Sequence, residues 1–416
     1  MTTLVQLREI AEVIRGVSFD KEETLDESRD GFQPVLRAGN IDTELLIDRD
    51  LVWVPQSRLS NQQQMRTGDI AICMSSGSQA VVGKTAILRA EWSGSVGAFC
   101  AIVRPRKDCV LPEWLSFFLR SEDFRTWTRQ STGANIKNIR KSELEAFPVA
   151  LPPLHEQRRI VDLLSRADGI VRLRREAQMK AQAIIPALFL DMFGDPATNP
   201  KGWPESLMRD LVSGFRYGTS NKSGSTGLPT LRIPNGVADS LNPGDMKFVD
   251  VTAAEAERLR LVSGDLLFVR TNGNPDYVGR SAVFEPELMT AAGFDAANCI
   301  YASYLIRARL KADSIRPGFL QAFLSSNEGR KRLREQARTS AGQYNINTDG
   351  LGSIYAPVPP VDVQMRFEEH SRSVLVIVRH QTEALTKAEA AFQALLSRTF
   401  RSDLATAVSA EEAAVA

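Results

Sequence analysis

The 416-residue sequence is poor in the side chains that hold metals and carry acid–base chemistry. It contains only 3 histidines and 4 cysteines. Cys73, Cys100, Cys109 and Cys299 form no Cys-x-x-Cys pair, so a zinc site with the usual ligand spacing is not expected. Unpaired thiols of this kind are typical of a reducing compartment. The sequence therefore predicts reduced cysteines and no metal site.

Long apolar runs and an excess of charge of one sign are also missing. No run approaches the roughly 18 residues that a membrane-spanning helix needs. Charged residues such as Arg8 and Glu12 interrupt any signal-peptide core, so we expect a cytoplasmic protein. Lys and Arg total 51 against 50 Asp and Glu, a net charge of +1. The chain as a whole therefore offers no strong field to a polyanion, and any DNA contact must rest on local basic groups.

Motifs of catalysis and nucleotide binding are absent too. Gly83-Lys84-Thr85 resembles the end of a phosphate-binding loop, but the glycine required five residues earlier is Ser78. The three histidines all fall in long helical patterns, where packed or solvated positions are more common than catalytic ones. We find no glycine-rich dinucleotide loop, no serine nucleophile elbow and no zinc helix. The sequence predicts a chain without catalytic residues of its own.

What the sequence does contain is a repeat with a period near 200 residues. Each half combines short strand-like runs, such as residues 70–74, 85–88 and 99–103, with a helix that begins at a proline, Pro112 or Pro317. A period of this length predicts a duplicated domain pair and not a solenoid. The repeated motifs include Gly68-Asp69 and Gly264-Asp265, Asn40 and Asn235, and Pro152-Pro153 with Gln157 and Pro359-Pro360 with Gln364.

A long helical pattern closes each half. Over residues 155–192 it would span about 57 Å at about 1.5 Å per residue, although Pro186 is expected to kink the last turns or end the helix early. The 3,4 spacing of apolar positions is an a/d heptad seam, and both copies are interrupted by one polar residue, Arg174 or Gln381. The sequence predicts that the two helices pair as a coiled coil. The seam positions are Ile160, Leu163, Ala167, Ile170, Arg174, Ala177, Ala181, Ile184 and Leu188, and, 207 residues later, Phe367, His370, Val374, Ile377, Gln381, Ala384, Ala388, Ala391 and Leu395.

Polar loops occupy equivalent places in the two halves, after a strand-like run and ahead of Lys84 or Arg280. Short hydroxyl and amide side chains beside a cation suit base edges and phosphate oxygens, although an ordinary polar turn has the same composition. Further polar residues precede each long helix. The candidate DNA-binding residues are Ser75, Ser76, Ser78, Gln79, Lys84 and Lys137 in the first half, and Arg270, Thr271, Asn272, Asn274, Arg280, Gln343 and Tyr344 in the second.

With these features together, the sequence resembles the specificity subunit of type I restriction–modification systems over nearly its full length. The most specific parts are residues 151–160, LPPLHEQRRI, the sequence Phe193-Gly194-Asp195-Pro196, and the repeat of domain plus long helix. The second copy departs from the pattern, because Val361-Asp362-Val363-Gln364 lacks the Leu-His-Glu of the first.

The resemblance implies an α+β fold of two duplicated mixed α/β target-recognition domains, each followed by a long helix, with the helices paired as an antiparallel coiled coil. The expected boundaries are 1–150 for the first recognition domain, 151–193 for the first long helix, 194–204 for a linker, 205–357 for the second recognition domain, 358–400 for the second long helix and 401–416 for a flexible tail.

The resemblance also implies a function and partners. Each domain would read one half of a split, asymmetric target in double-stranded DNA. Two modification subunits would dock on the chain, carry S-adenosylmethionine and methylate adenine, and restriction subunits would join them and consume ATP with Mg²⁺. The chain itself would hold no cofactor.

Two alternatives remain open at this stage. One is a protein-interaction scaffold built on a helical hairpin, with no role at DNA. The other is a recognition subunit that serves a methyltransferase complex without a restriction partner.

Overall fold

A computed structural model describes residues 2–130, 137–236, 240–340 and 342–415, with side chains up to residue 400 apart from those of Lys137 and Ser340. The chain forms two compact units. Unit 1 comprises residues 1–175 and 384–416, and unit 2 comprises residues 176–383. Within the described ranges, no helix combines the length and the apolar character that crossing a membrane requires.

The first half of the chain contains strands β1 (Thr3–Gln6), β2 (Ala11–Arg15), β3 (Phe32–Leu36), β4 (Val52–Pro55), β5 (Ile70–Cys73), β6 (Ser75–Ser76), β7 (Thr85–Ile87), β8 (Ser95–Val96), β9 (Cys100–Pro105), β10 (Lys137–Asn138) and β11 (Pro148–Leu151). Its helices are α1 (Leu7–Ile10), α2 (Pro112–Phe118), α3 (Glu122–Gln130), α4 (Lys141–Glu145) and α5 (Leu154–Phe193).

The second half repeats this order. Its strands are β12 (Glu205–Leu207), β13 (Val212–Tyr217), β14 (Leu228–Leu231), β15 (Lys247–Val249), β16 (Leu266–Val269), β17 (Thr271–Asn272), β18 (Ser281–Val283), β19 (Ile300–Tyr301), β20 (Leu305–Leu310), β21 (Arg338–Ser340), β22 (Gln343–Asn345) and β23 (Tyr355–Pro357). Its helices are α6 (Met208–Leu211), α7 (Ala253–Leu259), α8 (Pro286–Ala291), α9 (Pro317–Ser325), α10 (Asn327–Gln336), α11 (Thr348–Gly352) and α12 (Val361–Val415).

Unit 1 is built on an antiparallel sheet in the order β2-β9-β5-β7 and a smaller sheet in the order β4-β3-β8. Strand β5 is buried along its whole length because both of its faces are covered. Ile70 and Ile72 belong to the core that includes Trp114 of α2, whereas Ala71 and Cys73 belong to a second core on the other face. A strand covered on both faces reads as a continuous apolar run, which is what the sequence shows here.

Unit 2 repeats both sheets, in the orders β13-β20-β16-β18 and β15-β14-β19. Strand β16 again divides its side chains between two cores, with Leu266 and Phe268 in one and Leu267 and Val269 in the other. The structure therefore confirms the mixed α and β architecture and its duplication.

The start of each long helix is held by a buried glutamine. The Gln157 Oε1 accepts the backbone N–H of Leu111 at 2.9 Å, and its Nε2 donates to the carbonyl of Pro152 at 2.8 Å. Gln364 makes the matching bonds to Arg316 and Pro359 at 2.8 and 2.7 Å. Because a buried polar group must find partners, this residue fixes the loop before α2 or α9 against the helix start.

The long helices pack against each other within each unit. In unit 2, Gln178 Nε2 donates to Thr382 Oγ1 at 2.9 Å, and Phe189 contacts Phe367 with ring centroids 5.8 Å apart. Gln178 precedes Phe189 in α5, whereas its partner Thr382 follows Phe367 in α12. The two helices therefore run antiparallel. In unit 1, Leu164 of α5 shares one core with residues of α12, including Leu385, Phe392, Leu396 and Phe400.

The predicted register of this pair is partly wrong. The buried members of the predicted seam are Ile160, Ala181 and Phe367. The half-buried members are Ala167, Ala177, Leu188, Val374, Gln381, Ala384, Ala388 and Leu395. The exposed members of the predicted seam are Leu163, Ile170, Arg174, Ile184, His370, Ile377 and Ala391. At five places a buried residue lies one position after the predicted seam residue, at Leu164, Val171, Ser371, Leu385 and Phe392. The reason is that α5 and α12 carry apolar residues at neighbouring positions, so spacings of 3,4 and 4,3 fit the sequence equally well.

The structure also differs from three expectations about the helices, namely an early end of α5 at Pro186, an end of α12 near residue 400, and a single helix from Pro112 through Trp127. Helix α5 continues through Pro186 to Phe193, because the proline removes one backbone donor while Phe189 and Phe193 anchor the last turns in the unit 2 core. Helix α12 continues to Val415 instead of ending near residue 400, in an alanine-rich stretch with high helix propensity. The helix that begins at Pro112 is interrupted at Ser121, whose hydroxyl accepts the Phe124 N–H and starts α3.

Candidate nucleic-acid interface

A short antiparallel ribbon follows the central strand of unit 1. Strand β6 pairs with β10, with Ser75 opposite Asn138 and Ser76 opposite Lys137. The N–H of Ile139 donates to the carbonyl of Met74 at 2.8 Å and closes the ribbon at its base. The structure thus brings together candidate residues more than sixty positions apart in the sequence. The Lys137 side chain lies outside the part that the structure describes.

Unit 2 carries the same ribbon in the same place. Strand β17 pairs with β22, with Thr271 opposite Asn345 and Asn272 opposite Tyr344, and β21 extends it by a third strand. The Thr271 hydroxyl donates to Gln343 Oε1 at 3.0 Å. Thr271, Asn272, Gln343 and Tyr344 were all candidates from the sequence, and the structure gathers them into one surface.

The loops that follow each ribbon are ordered by their own side chains. The backbone N–H of Ser78 donates to Ser76 Oγ at 3.2 Å, and Gln79 Nε2 donates to the carbonyl of Arg129 at 3.4 Å. In unit 2, Asn272 Oδ1 accepts the N–H of Asn274 at 2.9 Å, and Asn274 Oδ1 accepts the N–H of Asp276 at 2.9 Å. The carboxamide oxygens of Asn272 and Asn274 are therefore engaged locally, while their NH₂ groups supply further donors.

Of the four candidate cations, Lys137 lies in ribbon strand β10 and the other three, whose side chains the structure describes, differ in where they lie. Lys84 forms an ion pair with Asp42 at 2.9 Å, and the Arg280 Nε donates to the carbonyl of Asp276 at 2.9 Å. Both are held by their own unit beside the loop and lie outside the ribbon. Arg270 directly precedes β17, and its guanidinium lies over the Tyr217 ring at 4.9 Å. Of the three, Arg270 is the one placed at a ribbon.

The Gly83-Lys84 pair, which resembles the end of a phosphate-binding loop in sequence, has a structural explanation. Gly83 adopts a φ of +80°, and a Cβ there would lie 2.7 Å from the side chain of Thr128. Its N–H donates to the carbonyl of Cys73 at 2.9 Å, and strand β7 begins two residues later. Gly279 in unit 2 has a φ of +74° and the same bond to Val269 at 2.8 Å. Each glycine allows the loop to return to the sheet.

A basic cavity of about 600 Å³ lies beside the loop in unit 1. Its wall includes Lys84, Arg120, Arg125 and Arg129, together with Asp42. Desolvation, with a contribution from the Arg120 charge, lowers the pKa of Arg125. The surroundings are therefore suited to an anion. In unit 2 the corresponding loop carries its own carboxylate, because Asp276 pairs with Arg334 at 2.7 Å.

Sequence reasoning missed two asparagines of the ribbons. Asn138 and Asn345 stand opposite Ser75 and Thr271, and their side chains belong to the same polar surfaces. Their separation of 207 positions equals the offset between the two long helices. That shared offset was the available signal.

Comparisons with known proteins agree with this architecture. Residues 2–181 match the family model described as type I restriction modification DNA specificity domain. The chain is 28% identical over 414 residues to the type I restriction enzyme EcoKI specificity subunit of Escherichia coli, covering 95% of this chain and 87% of that protein. It is 29% identical over 413 residues to the StySPI specificity subunit of Salmonella potsdam, with the same coverage.

A solved structure shares the fold. The S subunit of a type I restriction–modification system from M. genitalium superposes with a TM-score of 0.55 over 96% of both chains, at 14% sequence identity. The duplicated units and the antiparallel long helices agree with this similarity, which extends along 95% of the chain. The chain is thus similar to type I restriction–modification specificity subunits.

Proposed function

We propose that this chain is the DNA-recognition subunit of a type I modification complex and reads a bipartite, asymmetric target in double-stranded DNA. Each unit binds one half of the target through its ribbon. Bound modification subunits carry S-adenosylmethionine and methylate adenine within the target. Where restriction subunits join the complex, they consume ATP with Mg²⁺ and cleave unmodified DNA. The chain supplies recognition and positioning and no catalytic group.

The observation that carries this proposal is the pair of equivalent polar ribbons. A two-stranded ribbon fits the major groove of B-DNA, and hydroxyl and amide side chains match the donors and acceptors on base edges. Ser75 and Ser76 in unit 1 correspond to Thr271 and Asn272 in unit 2. Because the scaffold is duplicated and these side chains differ, the two half-sites are expected to differ in sequence.

Apolar residues on the outer faces of the long helices support the docking of modification subunits. A soluble chain rarely leaves so many large apolar side chains on two helices unless a partner covers them. Leu163 and Ile170, predicted for the seam, are 46% and 54% exposed. The other exposed apolar residues of the two helices are Leu173, Met179, Ile184, Leu190, Met365, Leu375, Val376 and Ile377.

The test is genome-wide mapping of methylated adenines in cells that contain the modification subunits, with and without this chain. A split motif that disappears with the chain is the expected result. A gel shift with the reconstituted complex complements it, because a scaffold without a role at DNA gives no preference for that motif. Methylation that persists unchanged without the chain contradicts the proposal.

A paired substitution locates the recognition surface. In the double variant Thr271→Ala, Asn272→Ala, the complex should lose discrimination at the half-site of unit 2 and keep it at the other. The matched variant Ser75→Ala, Ser76→Ala should do the reverse. Each good contact to a base edge is worth about 1–3 kcal/mol of discrimination, so a loss of roughly ten-fold or more per half-site is expected.

A further inference from the structure

Each unit exposes one aromatic ring at the tip of the same tight turn. Phe99 in unit 1 is 69% exposed, and Tyr304 in unit 2 is 59% exposed. The turn is closed in both units by a backbone hydrogen bond, from Cys100 N–H to the Gly97 carbonyl at 2.8 Å and from Leu305 N–H to the Ala302 carbonyl at 2.9 Å. A single exposed apolar residue needs no explanation, but the same exposure at equivalent positions of two diverged units does.

Backbone hydrogen bonds fix each turn to the base of the adjacent ribbon. The carbonyl of Phe99 accepts the N–H groups of Met74 and Ser75 at 2.9 and 3.0 Å. The carbonyl of Tyr304 accepts the N–H of Arg270 at 2.9 Å, directly ahead of β17. Both turns therefore lie against the base of their ribbon, and their backbone is held in place before any ligand arrives.

Cations and hydrogen-bonding groups surround the first ring. Phe99 lines a concave surface of about 290 Å³ together with Arg15, Arg140, Lys141 and Asn138. Among the described residues that line it, there is no carboxylate. The second ring has a similar neighbour, because the Arg270 guanidinium bonds to the carbonyl of Ser303 at 3.4 Å.

This chemistry favours a nucleic acid over a protein as the occupant. The lining in unit 1 combines apolar residues such as Met74 and Ile139 with three cations and no carboxylate. Two of these cations, Arg140 and Lys141, also form ion pairs with carboxylates of α4 at 3.9 and 3.5 Å. A lining with an excess of cations favours a polyanion. On single strands, aromatic rings beside cations stack on bases whose phosphates the cations neutralise. In a duplex, where the bases already stack on each other, an apolar ring packs against sugars or acts as a wedge that partly unstacks a base step.

We propose that Phe99 and Tyr304 stack against the bases or sugars of the two DNA half-sites and raise affinity without reading sequence. This inference rests on the proposed DNA-recognition function and extends it. The ribbon side chains determine which DNA sequence is bound. Each ring adds binding energy that does not depend on the identity of the base. Each ring acts on the half-site of its own unit.

The test uses the full chain assembled with its modification subunits and duplexes that carry the mapped motif. Binding is measured by fluorescence anisotropy for Phe99→Ala, Tyr304→Ala, Phe99→Trp and Tyr304→Trp. The matched control is Tyr355→Ala, which removes a ring that is 52% exposed on β23, outside the ribbon sheet. A 2-aminopurine placed at successive positions in each half-site reports stacking directly.

Removal of either ring should weaken binding roughly five- to one-hundred-fold, the range expected for loss of one aromatic stack. The tryptophan variants and Tyr355→Ala should bind like the wild type, and the methylated motif should stay the same in every variant. The 2-aminopurine signal should change in the half-site of the substituted unit only.

Three results overturn the inference while leaving the proposed function intact. They are alanine variants that bind within two-fold of the wild type, a changed motif, and failure of the alanine variants to assemble with the modification subunits. In the last case the rings contact a protein. If the wild-type complex binds duplexes with and without the motif equally well, the proposed function itself is contradicted.

Discussion

Asp69 and Asp265 show what the repeated sequence motifs do at the scale of single residues. Asp69 accepts the N–H of Arg66 at 2.8 Å and pairs with Arg104 at 2.7 Å, while its side chain is 3% exposed. Asp265 makes the same two contacts, to the Val262 N–H at 2.9 Å and to an arginine, Arg309, at 2.8 Å. The repeated carboxylate therefore joins the loop before the central strand to the neighbouring strand.

A repeated asparagine has the same kind of role in another loop. Asn40 Nδ2 donates to the carbonyls of Leu46 and Arg49 at 3.3 and 3.0 Å. Asn235 Nδ2 donates to the carbonyls of Asn242 and Gly244 at 2.9 and 2.8 Å. The motifs that reveal the duplication are thus buried structural residues, and the loops proposed to read DNA are where the two units differ.

The ion pair between buried Asp69 and Arg104 gives a first prediction. Asp69→Ala should lower the free energy of unfolding by about 3–5 kcal/mol, because it leaves the charge of Arg104, whose side chain is only 14% exposed, without its partner. Asp42→Ala is the matched control, since Asp42 pairs with Lys84 but is 61% exposed, and its loss should cost less than about 1 kcal/mol. Chemical denaturation of the two variants measures both. Equal effects would contradict the assignment of a structural role to the repeated aspartate.

A buried phenol gives a second prediction, on pH dependence. Burial raises the pKa of Tyr301 from 10.0 to about 12, and its hydroxyl donates to the carbonyl of Arg216 at 3.2 Å. The folded chain therefore favours the neutral phenol more than the unfolded chain does. Its contribution to stability is complete below pH 10 and is lost as pH rises towards 12.

Tyr301→Phe should remove this part of the alkaline destabilisation. Unfolding midpoints in denaturant between pH 9 and 12 should fall less steeply for the variant than for the wild type. The difference between the two slopes should amount to about 2–3 kcal/mol over the full titration. Parallel profiles would show that Tyr301 does not titrate differently in the folded chain.

At the scale of elements, the sequence predicted strands and long helices well because their signals are local. Strands β5, β7 and β9 appear where the apolar runs placed them, and α5 begins and ends within one residue of the predicted range 155–192. The heptad register was partly wrong because adjacent apolar pairs such as Leu163-Leu164 leave two choices. Tertiary packing selects between them, and the spacing alone does not contain that information.

The ribbons mark the limit of prediction for the candidate site. Strands of two residues carry almost no periodic signal, and β6 and β10 are separated by three further strands and two helices in the chain. Residue type pointed to Ser75, Ser76 and Gln343 as candidates. Their assembly into two equivalent surfaces depends on non-local pairing, which also determines that Phe99 and Tyr304 stand beside them.

The corrected register gives a third prediction, with a control at the neighbouring position. Leu164→Ala should destabilise the chain by about 2–5 kcal/mol, because its side chain is fully buried. Leu163→Ala should change stability by no more than about 0.5 kcal/mol and should instead weaken binding of the modification subunits. Denaturation and subunit titration separate the two effects. A large loss of stability in Leu163→Ala and a small one in Leu164→Ala would support the predicted register instead.

The length of the paired helices gives a fourth prediction, because the helices join the two proposed recognition units. Deletion of one heptad from each helix, around the facing residues Gln178 and Thr382, removes about 10 Å of helix. If helix length sets the distance between half-sites, the unspecified spacer in the methylated motif should shorten by about three base pairs. A deletion in only one helix disrupts the pairing and serves as the control for loss of fold. An unchanged spacer in a folded double deletion would exclude this role.

At the scale of the whole molecule, the duplication separates scaffold from recognition. Both units share sheet order, the buried aspartate, asparagine and glutamine, and the turn that carries an exposed ring. They differ at the ribbon side chains, since Ser75 and Ser76 stand where unit 2 has Thr271 and Asn272. Each ribbon is paired within its own unit, so the proposed recognition of two half-sites predicts that one half of the target can change without the other.

Exchange of one recognition region tests this independence. Replacement of residues 1–146 by the corresponding region of another family member should change one half of the methylated sequence and leave the other half and the spacer unchanged. Replacement of residues 205–356 should change the opposite half. Methylated-adenine mapping of both chimaeras, each assembled with the same modification subunits, measures the outcome. If either exchange altered both halves or neither, the two units could not be independent readers, and the differences between their ribbons would need another cause.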